Sequence, residues 1–264
     1  MRSFSKFLTA AAGLGCAASL AFAVDQQILG KSLTVKQKPG DATSQKITGA
    51  ANEKGSSGTL VGNPTLAGSA GGAILDVFAS GGSSSSQRFT LPQGDSSTGK
   101  KFWSKSGKGF KYNDPTGDQG PVKAVSINAS PSGKFTIKAK IAAKHGAVNV
   151  VPPNPGNGGC IALKLGISAP AGDRYSVDFG LNGTDPAMQI KNVADKLFKA
   201  KKPTVKGDCP TSVPTTTSST TSTVVTPTTT TSSTTGVPPT TTTSTTLYGS
   251  PSRAFLAASA DLLD

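Results

Sequence analysis

The stretch GKFTIKAKIA, residues 133–142, limits the fold more than any other part of this chain. In an extended chain Phe135, Ile137, Ala139 and Ile141 fall on one side, and Lys134, Thr136, Lys138 and Lys140 on the other. A period of two, with one apolar and one charged face, is the pattern of a half-buried antiparallel strand; a helix would scatter the same residues around its circumference. The pattern recurs. Leu33 and Val35 alternate with Ser32, Thr34 and Lys36, and Ile161, Leu163 and Leu165 with Ala162 and Lys164. Tyr175, Val177 and Phe179 alternate with Arg174, Ser176 and Asp178. Further apolar runs lie at 74–78, 89–91, 122–127 and 197–200, separated by Gly and Pro turn signals. Only AMQIKNVADKLF, 187–198, hints at a helix, and its apolar spacing is poor. The expectation for residues 24–210 is an all-β, antiparallel β-sandwich. It is one large sandwich, or two immunoglobulin-sized halves cut near NDPTGDQGP, 113–121. One unit is preferred, because that stretch offers no clear linker.

The two ends have different chemistry. Arg2 and Lys6 precede an apolar run from Phe7 to about Leu20, with small residues Ala21 and Ala23 around Phe22. Positive start, short apolar core and A-x-A site describe a secretory signal peptide over 1–23, cut after Ala23. The core is short of the ~20 residues a membrane span needs. Cys16 leaves with it, since Gly13 replaces the aliphatic residue a lipidation site wants. From 211 to 246 the chain is Thr, Ser and Pro with no charge, a composition that cannot bury enough apolar surface to offset chain entropy. A disordered stalk or spacer is expected there. Residues 247–264 form a short tail in which Ser250 can cap a helix begun by Pro251. Either a docking tag or a frayed terminus fits so short a segment.

Once Cys16 is removed, Cys160 and Cys209 remain, and in an exported chain an isolated pair is most simply a disulfide. Closing that loop is worth roughly 4 kcal/mol in the chain-entropy model. The pair lacks the further thiols or His that a metal or a nucleophile would need, and the chain has one His, His145. No metal site and no cofactor are expected.

The formal net charge is +13. Arg88 and Arg174 are the only arginines between leader and stalk, so the excess is lysine. Lysine is a hydrated point charge, whereas arginine is the bidentate reader of phosphate and guanine. The excess suggests diffuse attraction to polyanions and no specific nucleic-acid recognition; a solubilising, aggregation-resistant face is the plainer reading. No membrane span is expected after leader removal.

KFWSKSGKGFKY, 101–112, holds the only Trp, with Lys101, Lys105, Lys108 and Lys111 interleaved among aromatic residues. The S-G-K-G turn makes it a hairpin. Phe102 and Trp103 are neighbours, so without a bulge they point to opposite faces. An outward Trp103 flanked by Lys101 and Lys105 would be a sugar-stacking or polyanion platform; an outward Phe102 would leave no site.

Other motifs fall short. GDSSTGKK, 94–101, places Lys101 where a phosphate-binding loop needs Ser or Thr. Asp114 and Asp118 lack calcium-loop spacing. His145 would be the only imidazole for a Ser–His–Asp arrangement, and there is no G-x-S-x-G. Asp76, Asp95, Asp114, Asp118, Asp173 and Asp178 are scattered, with no pair marked for glycosidase chemistry. No catalytic residue is assigned.

The phrases ILGKSLTVKQKPGD, GNPTLAGSAGGAILDVF, GKGFKYND and KLFKAKKPTVKGDCP, with the Thr-rich tail, resemble uncharacterised secreted bacterial proteins that pair a Lys/Gly-rich β-domain with a Thr-rich stalk. The likeness covers most of 27–210 and implies no activity. A looser similarity is to carbohydrate-binding modules, from which the chain departs in having few exposed-aromatic candidates and no enzyme domain beside it. The expected function is a non-enzymatic structural or adhesive role at the cell envelope or extracellular matrix, secreted or on the cell surface, with the periplasm as a variant. Its expected partner is a polysaccharide or other anionic envelope polymer. The alternatives are a carbohydrate-binding module centred on Trp103, and a hydrolase with an unrecognised site.

Overall fold

The computed structural model describes residues 24–81, 84–152, 156–168, 172–183 and 185–211. The leader expected over 1–23, and the stalk and C-terminal tail expected beyond Thr211, lie outside the described residues.

Thirteen strands are described: β1 (Asp25–Gln27), β2 (Gly30–Lys38), β3 (Asp41–Glu53), β4 (Ala73–Gly81), β5 (Ser85–Leu91), β6 (Trp103–Ser106), β7 (Gly109–Asn113), β8 (Val122–Ala129), β9 (Phe135–Ala142), β10 (Gly156–Leu165), β11 (Arg174–Phe179), β12 (Gln189–Val193) and β13 (Leu197–Lys201). Two single-turn 3-10 segments, Gly68–Ala70 and Ala143–His145, accompany them, and no α-helix occurs among the described residues. The strands form a five-stranded sheet, ordered β1-β11-β10-β4-β5, and an eight-stranded sheet, ordered β12-β13-β2-β3-β9-β8-β7-β6. Pairing is antiparallel throughout except for β1, which runs parallel to β11. The fold is an all-β, sandwich-like arrangement.

Alternation explains which residues enter the space between the sheets. Leu33, Val35, Phe135, Ile137, Ala139 and Ile141 of the larger sheet share one core with Leu163, Leu165, Tyr175, Val177 and Phe179 of the smaller. Phe135 and Tyr175 meet across it with ring centroids 5.4 Å apart. The sheets pack tightly at Gly49, where a Cβ would stand 1.9 Å from Ile161 Cδ1. The 114–121 stretch is a turn between β7 and β8, which pair directly in one sheet.

β3 and β12 escaped the period-two reading. β3 is 13 residues long, yet its inward positions Gly49 and Ala51 are small, so it carries little hydrophobic signal. β12 lies within AMQIKNVADKLF, the stretch that hints at a helix, and forms a hairpin with β13, the strand expected at 197–200; the turn places Asp195 at φ +49, a left-handed conformation that no helix contains and that Asp tolerates.

The five-stranded sheet is also covered on its outer face. Phe78, Cys160, Ala162 and Cys209 make a second, smaller apolar cluster there, closed by the Cys160–Cys209 disulfide. Arg174 secures the same region: its guanidinium donates to Asp25, to the Cys209 carbonyl at 3.0 Å and to the Pro210 carbonyl at 2.6 Å. Residue 25 and residue 210 are thereby fastened to one strand.

Candidate functional site

Register in the eight-stranded sheet determines what its outer face presents. A row of paired positions crosses all eight strands: Gln189, Lys201, Ser32, Ala50, Lys138, Ser126, Lys111 and Ser104. The adjacent row reads Lys191, Lys199, Thr34, Thr48, Lys140, Ala124 and Asn113. A third, shorter row reads Val193, Leu197, Lys36, Lys46 and Ala142. These side chains are exposed or half-buried except Ala142, and none is acidic. With strands ~4.8 Å apart, eight of them give a surface about 34 Å wide, and successive rows lie roughly 7 Å apart.

Two pairs on this face put like charges directly opposite each other: Lys36 against Lys46, and Lys191 against Lys199. Such pairs are destabilising, by a few tenths of a kcal/mol or more each. Relief would come from a carboxylate, but the ion pairs among the described residues are Arg88–Asp76, Arg174–Asp25 and Lys206–Glu53, none of them on this face. Asp41 stands opposite Lys38 beside the β2–β3 turn, past the end of the third row, where Thr43 and Ser44 engage it. Asp25, Asp76 and Asp178 lie on the outer face of the five-stranded sheet, each tied to a partner: Arg174, Arg88 and the Leu181 N–H. The two outer faces therefore differ in electrostatics, one paired, the other an unrelieved array of ammonium groups.

The aromatic platform expected at Trp103 is not on the surface. Trp103 and Phe102 are each 2 % exposed. The alternation argument failed because Phe102 sits at a bend before β6, where its N–H bonds the Gly94 carbonyl and its own carbonyl accepts from Asn113. Freed from the pleat, both rings turn inward onto Tyr112, with centroids 5.8 Å and 5.4 Å away. The Trp103 indole N–H donates to the Leu91 carbonyl of the opposite sheet at 3.2 Å. Burial is the first cause, and nearby Asp114 the second, that pushes the Tyr112 phenol well above its ordinary range. Lys101 and Lys105 are exposed, but the Trp103 ring is not on the surface between them: the Lys101 backbone pairs with that of Asp95 in an isolated β-bridge, and Lys105 is paired opposite Phe110 near the turn. The turn itself is the two-residue Gly107–Lys108, with Gly107 at φ +60 as a II′ hairpin requires.

The remaining candidates serve the scaffold. The 94–101 stretch is a turn closed by Ser96 N–H to the Lys100 carbonyl and pinned by Ser97 N–H to Asp118 at 2.6 Å. That bond is the leading reason the Asp118 carboxyl titrates below its usual value. Asp114, fully buried, accepts from the N–H groups of Gly117, Asp118 and Gln119 and organises the β7–β8 loop. Asp173 accepts from the Val24 N–H and from Gln26. His145 packs against Gly117, and its buried Nε2 has no hydrogen-bond partner. Among the described residues no group of three or more His, Cys, Asp or Glu is arranged to hold a metal ion.

Sequence reasoning weighed the lysines as net charge and missed their arrangement. Lys36, Lys138 and Lys140 were legible as outward positions. That they lie in common rows with Lys111, Lys191, Lys199 and Lys201 depends on pairing between strands far apart in sequence.

Comparison of the chain with protein-family models, with curated proteins and with solved structures found no match.

Proposed function

We propose that this protein is a non-enzymatic adhesive or structural component of the cell envelope or extracellular matrix. In this reading it holds anionic polysaccharide across the outer face of its eight-stranded sheet. One observation carries the proposal: eight lysines in three rows, free of carboxylates, with two like-charge pairs held face to face. Serine and threonine hydroxyls stand between them, suited to a hydroxyl-rich chain. Lysines distributed over a sheet hold a polymer by charge and counterion release, with little demand on its sequence. The face has no aromatic residue on which bases could stack, and no arginine fork to read a groove, so a glycan fits it better than a nucleic acid. The Thr-rich segment beyond residue 211 would act as the spacer that carries the domain away from its anchor.

The test is retention of the purified protein on carboxylated, phosphorylated and uncharged dextran over a salt series. Replacing Lys111, Lys138 and Lys140 together by Gln should weaken retention on the charged dextrans by about tenfold or more and flatten the salt dependence. Trp103→Phe should leave retention unchanged. Salt-resistant binding to uncharged dextran, or tighter binding to single-stranded DNA than to any charged dextran, would overturn the proposal.

A further inference from the structure

The third row of the lysine face runs into a cleft of about 400 Å³ beside the β2–β3 turn. Lys36 and Lys38 enter it from β2, Lys46 from β3 and Lys144 from the 3-10 turn after β9. The carboxylate in its wall, Asp41, is already engaged. Its Oδ1 accepts from the Thr43 hydroxyl at 2.6 Å, the Thr43 N–H at 3.0 Å and the Ser44 N–H at 3.2 Å. The Thr43 hydroxyl bond is the main reason Asp41 stays ionised below the usual carboxylate range.

The neutral polar groups of the wall are committed as well. The Ser44 hydroxyl accepts from the Lys38 N–H and donates to the Asp41 carbonyl, each at 2.7 Å. The Gln37 amide donates to the Asp195 carbonyl, and the buried Gln45 amide to the Val150 carbonyl. What the wall leaves for a ligand is therefore its four lysines, none of which is ion-paired to a described carboxylate, although Lys38 lies close enough to help hold Asp41 ionised. Against one carboxylate they leave three net positive charges in a space the size of a small-molecule site.

We infer that this cleft binds one phosphate group of the anionic polymer, a phosphomonoester at a chain end or branch. The inference rests on the lysine-face proposal and deepens it. Ammonium groups approaching from three elements suit a compact tetrahedral dianion, whose oxygens face several directions. A planar carboxylate is served better by the arginine fork, which is absent here. The lysine face would then hold the polymer's length and the cleft its terminus.

The test separates the two. Inorganic phosphate is titrated into the purified protein and followed by amide chemical shifts, and retention on phosphorylated dextran is measured in parallel. Two variants are compared: Lys38→Gln/Lys144→Gln, confined to the cleft, and Lys111→Gln/Lys138→Gln/Lys140→Gln, confined to the face. The expected result is saturable, one-to-one binding with shifts centred on residues 36–46. The cleft variant should weaken that binding by about tenfold and the face variant should leave it unchanged, since the first removes two of the four charges lining the cleft and the second none of them. Sulfate at equal ionic strength should compete, and acetate should not. Shifts spread over all lysines, or equal affinity in the cleft variant, would overturn the inference while leaving face-dependent dextran retention standing. Localised phosphate binding in a protein that ignores charged dextran would overturn the lysine-face reading instead.

Discussion

Lys36 against Lys46, and Lys191 against Lys199, are positions where this chain gives up stability. Lys46→Gln removes one repulsion without touching the core, so the variant should gain about 0.5 kcal/mol in chemical denaturation and lose retention on charged dextran. A variant less stable than the parent would show that the pair is not a liability. Asp178 makes a different single-residue case. It is buried, and desolvation, opposed by backbone bonds such as that from Leu181, raises its carboxyl above the ordinary value. A raised folded-state pKa means that the folded protein holds the proton more firmly than the unfolded chain. Stability from this group is thus present at low pH and is lost as pH rises from the unfolded value near 4 through the raised one. Asp178→Asn stays neutral throughout, so its stability relative to the parent should improve between pH 3 and pH 7. A difference that does not change with pH would contradict the assignment. Neither residue was legible as special in the sequence: Asp178 sits on the outward face of β11, and the covering segment at Gly207 and the loop at Leu181 close over it.

Elements became legible in proportion to their apolar contrast. β2, β9 and β11 declare themselves because large apolar residues alternate with polar ones through their central positions. β3 does not, since its inward Gly49 is selected by the close approach of Ile161, a constraint from the other sheet. The aromatic hairpin shows the opposite limit. Its strands and turn follow from local residues, but the fate of Phe102 depends on a bend held by Gly94 and Asn113. The segment ending at Cys209 has no strand of its own and is held by the disulfide and Arg174. Cys160→Ala/Cys209→Ala opens a loop of 49 residues and should cost roughly 4 kcal/mol in the chain-entropy model, read as a lower denaturation midpoint. Loss of less than 1 kcal/mol would mean that the covering segment stays docked by its other contacts.

Across the whole molecule, charge is partitioned between faces. The outer face of the five-stranded sheet carries carboxylates with partners, and the three outward rows of the eight-stranded sheet carry ammonium groups with no ion-pair partner among the described residues. If that partition drives adhesion, midpoint salt for release from charged dextran should fall with each face lysine replaced, whichever strand it occupies. Position-independent losses are the mark of diffuse charge; a single dominant lysine would point to a specific pocket instead. The sequence by itself determined the all-β class, the inward sets of most strands, the pairing partners for the two cysteines and the lysine excess, because each is set by residue type and local period. Only the tertiary structure decided that Trp103 is core, that β12 and β13 pair, and that lysines from β2, β3, β7, β9, β12 and β13 share one surface. Those outcomes depend on register between strands distant along the chain and on the contact of one sheet with the other, and neither leaves a local trace in the sequence.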